Sequence, residues 1–356
     1  MKSVALLALT GIVLVGCKSG YTVTGNVPDL TQSTVYLYTL EDYPADPIIL
    51  DSARVEQGCF MFEGRIPHST LGYLSTDSKK SFTSFILENA PIRIEGRLSE
   101  PHSFIAASPL NDSLAQFRQQ LDRFAERRNA VHESKEQYLA IWEEIYDYAY
   151  RTVVANADNF LAVRILNRYP THFRSARQIL DAIDRLSEPM QQHYLIRRYL
   201  RPQIERQVQT AVGEVYRDIA APTPAGDTMS LRQAVENPAN KCVLVDFWAS
   251  WCGPCRGQID NLKQLYERYR PAGLEIVGIS LDNDRSAWLR TIEKEQLPWR
   301  NISNLDGWQT GFDSYGIQSI PSYVLIRCSD GRIAARMPHG ACSGIPVTEI
   351  ERLLEH

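Results

Sequence analysis

The stretch Val243–Cys255, VLVDFWASWCGPC, limits what this chain can fold into more than any other. Val243, Leu244, Val245, Phe247 and Trp248 form a short β-branched and aromatic run, the composition of a strand buried on both faces as in parallel sheets. The run is broken by one acid, Asp246, and ends at a Cys-x-x-Cys pair. Such a pair alone is ambiguous, since it serves as a redox dithiol, as half of a zinc site or as a haem anchor. Its surroundings narrow the choice. The residues after Cys255 carry a helical pattern, so the cysteines sit on a strand-to-helix turn. Cys252 then stands at a helix N-terminus, where free N–H groups and the macrodipole favour thiolate over thiol.

The chain has 356 residues, 44% hydrophobic and 22% charged, with a net charge of -4. That is ordinary globular composition, with length for two or three domains. No long basic run is present, so nucleic acid is not an expected partner. The pairs Arg127-Arg128 and Arg197-Arg198 read as solvated helix faces. The first residues have the form of a targeting segment: Lys2, an apolar run from Val4 to Val15 too short to span a bilayer, then Leu14-Val15-Gly16-Cys17. This tetrapeptide resembles a bacterial lipobox, which implies cleavage before Cys17 and lipidation of that cysteine. An ordinary secretory signal is the alternative. Either places the mature protein outside the cytoplasm. The lipobox reading tethers it to the cell envelope, on the periplasmic side, through lipid rather than a spanning helix. Cys59, Cys242, Cys328 and Cys342 show no regular spacing, and their pairing is left open.

Three regions follow residues 1–17. Over residues 18–105, short β-rich runs (Tyr21–Gly25, Thr34–Tyr38, Ile48–Leu50, Cys59–Glu63, Ile92–Glu95) separated by glycines predict an antiparallel sandwich or barrel. His68 and His102 lie in loop-like surroundings beside prolines. Over residues 106–220 the period becomes helical. Leu110, Leu114, Phe117, Leu121 and Phe124 mark one amphipathic face. Tyr138, Trp142, Tyr146 and Tyr150 mark an aromatic stripe that reads as a core-packed face rather than a peptide groove. Further helices are expected over Asn159–Arg168, over Ser175–Leu186 and from Pro189 to about Tyr216. Pro222, Pro224 and Gly226 have the composition of a linker. Residues 221–356 alternate strands and helices, with a hairpin at Ser329-Asp330-Gly331, and predict a mixed sheet covered by helices on both faces.

The combination of Asp246, Trp251-Cys252-Gly253-Pro254-Cys255 and the later Ile320-Pro321 resembles the thioredoxin fold, and more closely its TlpA/ResA-like, membrane-tethered thiol–disulfide oxidoreductases. The front region resembles a β-rich domain of unknown function found ahead of such modules in bacterial lipoproteins. The expected architecture is therefore an N-terminal antiparallel β domain, a central helical segment and a C-terminal α/β thioredoxin fold.

The resemblance implies a role for each residue. Cys252 is the expected exposed nucleophile and Cys255 the more buried resolving thiol. Asp246 is the expected base, its pKa raised by burial. Trp251, Gly253, Pro254, Ile320 and Pro321 are expected to meet the substrate, with Pro321 matching the family's cis-proline and the Ile320 backbone pairing with an extended segment. Gly253-Pro254 is implied to belong to reducing members, near the low end of the ~ -270 to -120 mV span. Disulfide-containing envelope proteins would be the substrates, a membrane thiol the electron donor, and the Cys252–Cys255 disulfide itself the only redox group, with no cofactor or metal. Gln258 and Asp260 depart from the Glu and Pro of closer relatives, which shifts acid/base work onto Asp246. Zinc would need ligands such as Cys328, His339 or Cys342, and haem attachment would need histidine where Arg256 stands. A thiol peroxidase-like activity and a lipid-anchored binding or scaffold protein are the alternatives to a disulfide reductase.

Overall fold

The computed structural model describes residues 20–40, 47–76, 81–336 and 344–355. Cys17, His339 and Cys342 lie outside the described residues. The chain divides into two compact units, with the boundary between Arg123 and Phe124.

The first unit holds eight strands: β1 (Tyr21–Asn26), β2 (Thr34–Thr39), β3 (Ile48–Arg54), β4 (Cys59–Gly64), β5 (Thr70–Ser75), β6 (Ser81–Leu87), β7 (Pro91–Arg97) and β8 (Glu100–Ala107). They form two four-stranded sheets, in the orders β4-β1-β7-β8 and β3-β2-β5-β6. Val23, Phe62, Ile92 and Ile94 from one sheet share a core with Val35, Leu37, Leu74 and Phe85 from the other. Alternate residues of β1, β4 and β7 supply it, which is the sandwich pattern. One pair departs from the antiparallel expectation: β1 and β7 run parallel. His102 lies within β8 rather than in a loop. Helix α1 (Pro109–Ala130) starts in this unit, where the buried Glu88 carboxylate accepts from Ser108 Oγ (2.5 Å) and from the free Leu110 N–H (2.9 Å).

The second unit continues with α2 (Lys135–Ala155), α3 (Phe160–Arg168), α4 (Ala176–Asp184), α5 (Glu188–Gln191), a π-helical stretch at Leu195–Leu200, and α6 (Arg201–Gln209). Ser134, Asn159 and Ser175 cap α2, α3 and α4 through their side-chain oxygens. On α2 the buried face is Ile141, Ile145, Ala149 and Val153. The stripe of Tyr138, Trp142, Tyr146 and Tyr150 is half-buried beside that face and does not form it. The aliphatic row next to it packs more closely, and the aromatic rings keep their polar edges near solvent. The helix expected to reach Tyr216 ends at Gln209. Residues 213–216 pair instead with the sheet edge, where Gly213 N–H donates to Ile333 O (2.8 Å) and Tyr216 N–H to Gly331 O (2.9 Å). A sheet edge with open backbone groups wins over a Thr-Ala-Val-Gly segment of weak helix propensity.

Pro222, Pro224 and Gly226 belong to a tight hairpin, β9 (Ala220–Pro222) with β10 (Thr228–Ser230), and not to a linker. Then come α7 (Leu231–Val235), β11 (Cys242–Trp248), α8 (Gly253–Tyr269), β12 (Leu274–Ser280), α9 (Arg285–Glu295), β13 (Arg300–Ile302), α10 (Gln309–Tyr315), β14 (Ser322–Arg327), β15 (Arg332–Arg336) and α11 (Val347–Leu354). The five-stranded sheet has the order β13-β12-β11-β14-β15. β11, at its centre, pairs parallel with β12 and antiparallel with β14. Every residue of β11 and β12 is buried. Val243, Val245 and Phe247 point to a core shared with α7, while Cys242 and Leu244 point to one shared with Leu262 and Leu265 of α8 and Ile350 of α11. The mixed sheet covered on both faces is the one expected.

Candidate active site

Everything chemical gathers at the C-terminal end of β11. The chain leaves the strand at Trp248, turns, and enters α8 with Cys252 as its N-cap. Gly253 and Pro254 follow, both exposed, and Pro254 stands where its missing N–H costs nothing. Cys252 and Cys255 are joined as a disulfide with Cα atoms 5.3 Å apart. The Cys255 N–H donates to Cys252 Sγ at 3.1 Å. This donor at a helix N-terminus stabilises negative charge on that sulfur once the bond is reduced.

The expected contrast of an exposed Cys252 and a buried Cys255 does not hold in this oxidised form: they are 5% and 4% exposed. Cys252 is covered because it packs in one cluster with Trp248, Ala249, Cys255 and Trp288, bordered by Leu305 and Ile320. Its Sγ lies 3.7 Å from the Ile320 carbonyl oxygen. The Ile320–Pro321 bond is cis, and both residues are half-buried beside the dithiol. Trp251 is 55% exposed.

Asp246 sits beneath. It shares a face of β11 with Leu244, which belongs to the cluster of Leu262, and with Trp248, which belongs to the cluster of Cys255. That brackets its side chain under the first turns of α8. The carboxyl is 5% exposed, and Oδ1 has no hydrogen-bond partner. Burial away from any compensating charge pushes its pKa up to about 7. Its cross-strand neighbours are Tyr323 on β14, whose buried hydroxyl also lacks a partner, and Gly278 on β12. Gly278 is needed there. A Cβ would come within 2.3 Å of Asn301 Oδ1 and 3.0 Å of Trp248 Nε1.

Gln258, in place of an acid, is half-buried on α8, and its Oε1 accepts from Asn261 Nδ2 at 3.0 Å. Cys59, Cys242 and Cys328 are free thiols. Burial pushes the last two up to about 12, which favours the protonated thiol. Among the described residues no cluster of three His, Cys, Asp or Glu could hold a metal ion.

Two residues here had no signal in the linear motif. Asp282, 1% exposed just past β12, accepts from Ser250 N (2.9 Å), Ser250 Oγ (2.5 Å) and Ser280 Oγ (2.7 Å), which fixes the loop between β11 and Cys252. Trp308 comes from the loop before α10 and meets Trp251, ring centroids 6.0 Å apart.

Comparison with known proteins bears on the domains. The thioredoxin-like family matches residues 240–333. The C-terminal domain has the thioredoxin-like fold and is similar to the ResA oxidoreductases. A domain of unknown function, DUF4369, matches residues 21–114 and accounts for the front sandwich. The chain is similar to the thiol-disulfide oxidoreductase ResA of Oceanobacillus iheyensis, 45% identical over 87 residues that cover 24% of this chain and 44% of that one. It is also similar to ResA of Halalkalibacterium halodurans, 26% identical over 101 residues that cover 28% and 54%. It thus spans about half the length of the curated relatives it matches. A solved thiol-disulfide oxidoreductase from Bacteroides fragilis is 28% identical, with 39% of this chain and 99% of that one covered and a TM-score of 0.34.

Proposed function

We propose that the Cys252–Cys255 pair reduces protein disulfides by dithiol–disulfide exchange. The observation that carries this reading is a vicinal cysteine pair capping a helix, with the Cys255 N–H on Cys252 Sγ and a protonatable Asp246 buried below. In the reduced protein, the Cys252 thiolate attacks one sulfur of a substrate disulfide. The substrate S–S bond breaks, a Cys252–substrate mixed disulfide forms, and the other substrate sulfur leaves as thiolate. Cys255 then passes its proton to Asp246 and attacks Cys252 Sγ. The mixed disulfide breaks, the Cys252–Cys255 bond closes, and the second substrate sulfur leaves as thiolate, to be protonated by Asp246 or solvent. Two electrons pass from dithiol to substrate, and an external thiol donor restores the dithiol. Asp246 suits this work because a base with pKa near the working pH can both take and return a proton.

The segment Lys2 to Cys17 supports a lipid tether on the extracytoplasmic side, with disulfide-bearing envelope proteins as substrates and a membrane thiol as donor. Among the described residues no helix is long and apolar enough to cross a membrane. Two measurements test the proposal. The detergent-solubilised full chain should reduce insulin disulfides with dithiothreitol as donor, and Cys255→Ala should accumulate mixed disulfides through Cys252. An inactive protein with an intact Cys252–Cys255 disulfide overturns the reductase reading. Cys17→Ser should abolish incorporation of labelled palmitate, and persistent labelling would refute the tether.

A further inference from the structure

The chain has six tryptophans. Trp248, Trp288 and Trp299 are buried in the thioredoxin-like core, and Trp142 is half-buried on α2. The other two, Trp251 and Trp308, are 55% and 39% exposed, and they touch each other at the dithiol. Leaving two adjacent indoles in water forgoes the gain from burying them, and an exposed apolar patch of this kind marks a contact surface.

The patch is also held in place. Asp282 binds Ser250 through its carboxylate, and its carbonyl oxygen accepts from Gly307 N–H at 3.4 Å. One buried residue therefore secures the loop before Trp251 and the loop before Trp308. The second loop is fixed further by Ser303, whose N–H donates to Pro222 O (3.0 Å) and whose Oγ donates to Ser280 O (3.1 Å) while accepting from Leu305 N–H (3.1 Å). Leu305 is kept at φ 56° and Gly307 at φ 64°. A leucine in the left-handed region is disfavoured, and the surrounding bonds hold it there. That conformation packs Leu305 against the cluster of Cys252, Cys255 and Ile320 and leaves the Trp308 ring outward. Among the described residues no guanidinium stacks on Trp251 or Trp308.

We propose that Trp251 and Trp308 form an aromatic ledge that receives a large apolar side chain next to the disulfide cysteine of an extended substrate segment, with Trp308 the residue that sets this preference. Trp251 precedes Cys252 in the chain and Trp308 follows Leu305, which borders the cluster of the two cysteines, so a segment whose sulfur reaches Cys252 brings a neighbouring residue within reach of the two rings. An aromatic or long aliphatic residue gains stacking and desolvation there, and a serine gains neither. The proposal rests on the exchange reaction above.

Two peptides settle it, each a mixed disulfide of one cysteine with thionitrobenzoate and differing only in Phe or Ser after that cysteine. The measurement is kcat/KM for release of the chromophore by the reduced, detergent-solubilised full chain. The wild type is expected to favour the Phe peptide by about three- to tenfold, Trp308→Ala to bring the ratio close to one, and Trp308→Phe to restore most of it. A ratio that Trp308→Ala leaves unchanged, or no preference in a wild type that reduces insulin, overturns the ledge alone. A wild type inactive on both peptides and on insulin overturns the reaction, and the ledge with it.

Discussion

Two levels of the same sheet bury a carboxylate, and they solve the problem in opposite ways. Near the start of β12, Glu275 is 2% exposed and fully provided for: Tyr266 OH donates to it at 2.9 Å, its own strand's Ile276 N–H at 3.1 Å, and Arg270 lies 3.4 Å away. Near the other end, beneath the helix that carries the cysteines, Asp246 is as deeply buried but has an oxygen without a partner and no counter-charge. A buried charge is ordinarily paired or neutralised. Glu275 is paired, which makes it structural. Asp246 is left to protonate near neutral pH, and that is what a proton carrier requires.

The largest expected effect comes from removing the unpaired acid. Asp246→Asn should slow the decay of the Cys252 mixed disulfide about 100-fold at pH 7, measured by rapid quench, since it removes the proposed general base. The same variant should be the more stable one above pH 7. Asp246 has its folded pKa raised to about 7 from an unfolded value near ~3.9. Its stabilising contribution is full below about pH 4 and falls by about 1.4 kcal/mol per unit as pH rises to 7, then levels off, a total of about 4 kcal/mol. Urea midpoints from pH 4 to 8 should show that slope in the wild type and lack it in Asp246→Asn. A variant less stable than wild type at pH 8 would mean that the carboxylate is paired after all. Glu275→Gln should do the reverse, costing about 1.5–3 kcal/mol at neutral pH while thiol exchange continues, because it weakens three interactions of a buried group.

The contrast between these acids was only partly legible in the linear chain. β11 stood out because a strand buried on both faces is apolar throughout, so one acid within it is conspicuous. Glu275 did not, since an acid near a strand end looks like an exposed one until Tyr266 and Arg270 fold over it. Several strands outside the expected runs have little to reveal them: β13 is three residues long, β5 contains Gly72, and β8 begins Glu-Pro-His, whereas β6, Ser-Phe-Thr-Ser-Phe-Ile-Leu, carried a run that was overlooked. The pairing of residues 213–216 with β15 depends on an edge far away in sequence. Asp282 and Trp308 were missed for the same reason, because each acts through a neighbour that only the folded chain supplies. Cys252 was placed correctly at the helix N-terminus, but its cover comes from Ile320 and Trp288, which no local pattern brings near it.

Asp282 is a third buried acid, and it sharpens the rule that provision marks structure. Asp282→Asn should cost about 1–2 kcal/mol, since the amide can accept from Ser250 with only one of its two head-group atoms. It should also loosen the Trp251 loop, read as lower fluorescence anisotropy of an otherwise folded protein. An unchanged anisotropy would remove Asp282 from the positioning of the ledge.

The smallest effect belongs to Tyr323→Phe. The hydroxyl is buried, has no partner, and lies across the strand from Asp246. Burial, and then the Asp246 charge, raise its pKa, so it stays a neutral phenol. Deleting a hydroxyl that makes no protein hydrogen bond removes a desolvation cost without breaking a contact, and stability should change by less than about 1 kcal/mol, in the favourable direction. The acid limb of the mixed-disulfide decay should stay near pH 7, because burial rather than the phenol sets the Asp246 pKa. A loss of more than about 2 kcal/mol would instead put Tyr323 in the class of Tyr266, a donor that satisfies a buried acid. The two carboxylates would then differ in degree of pairing and not in kind.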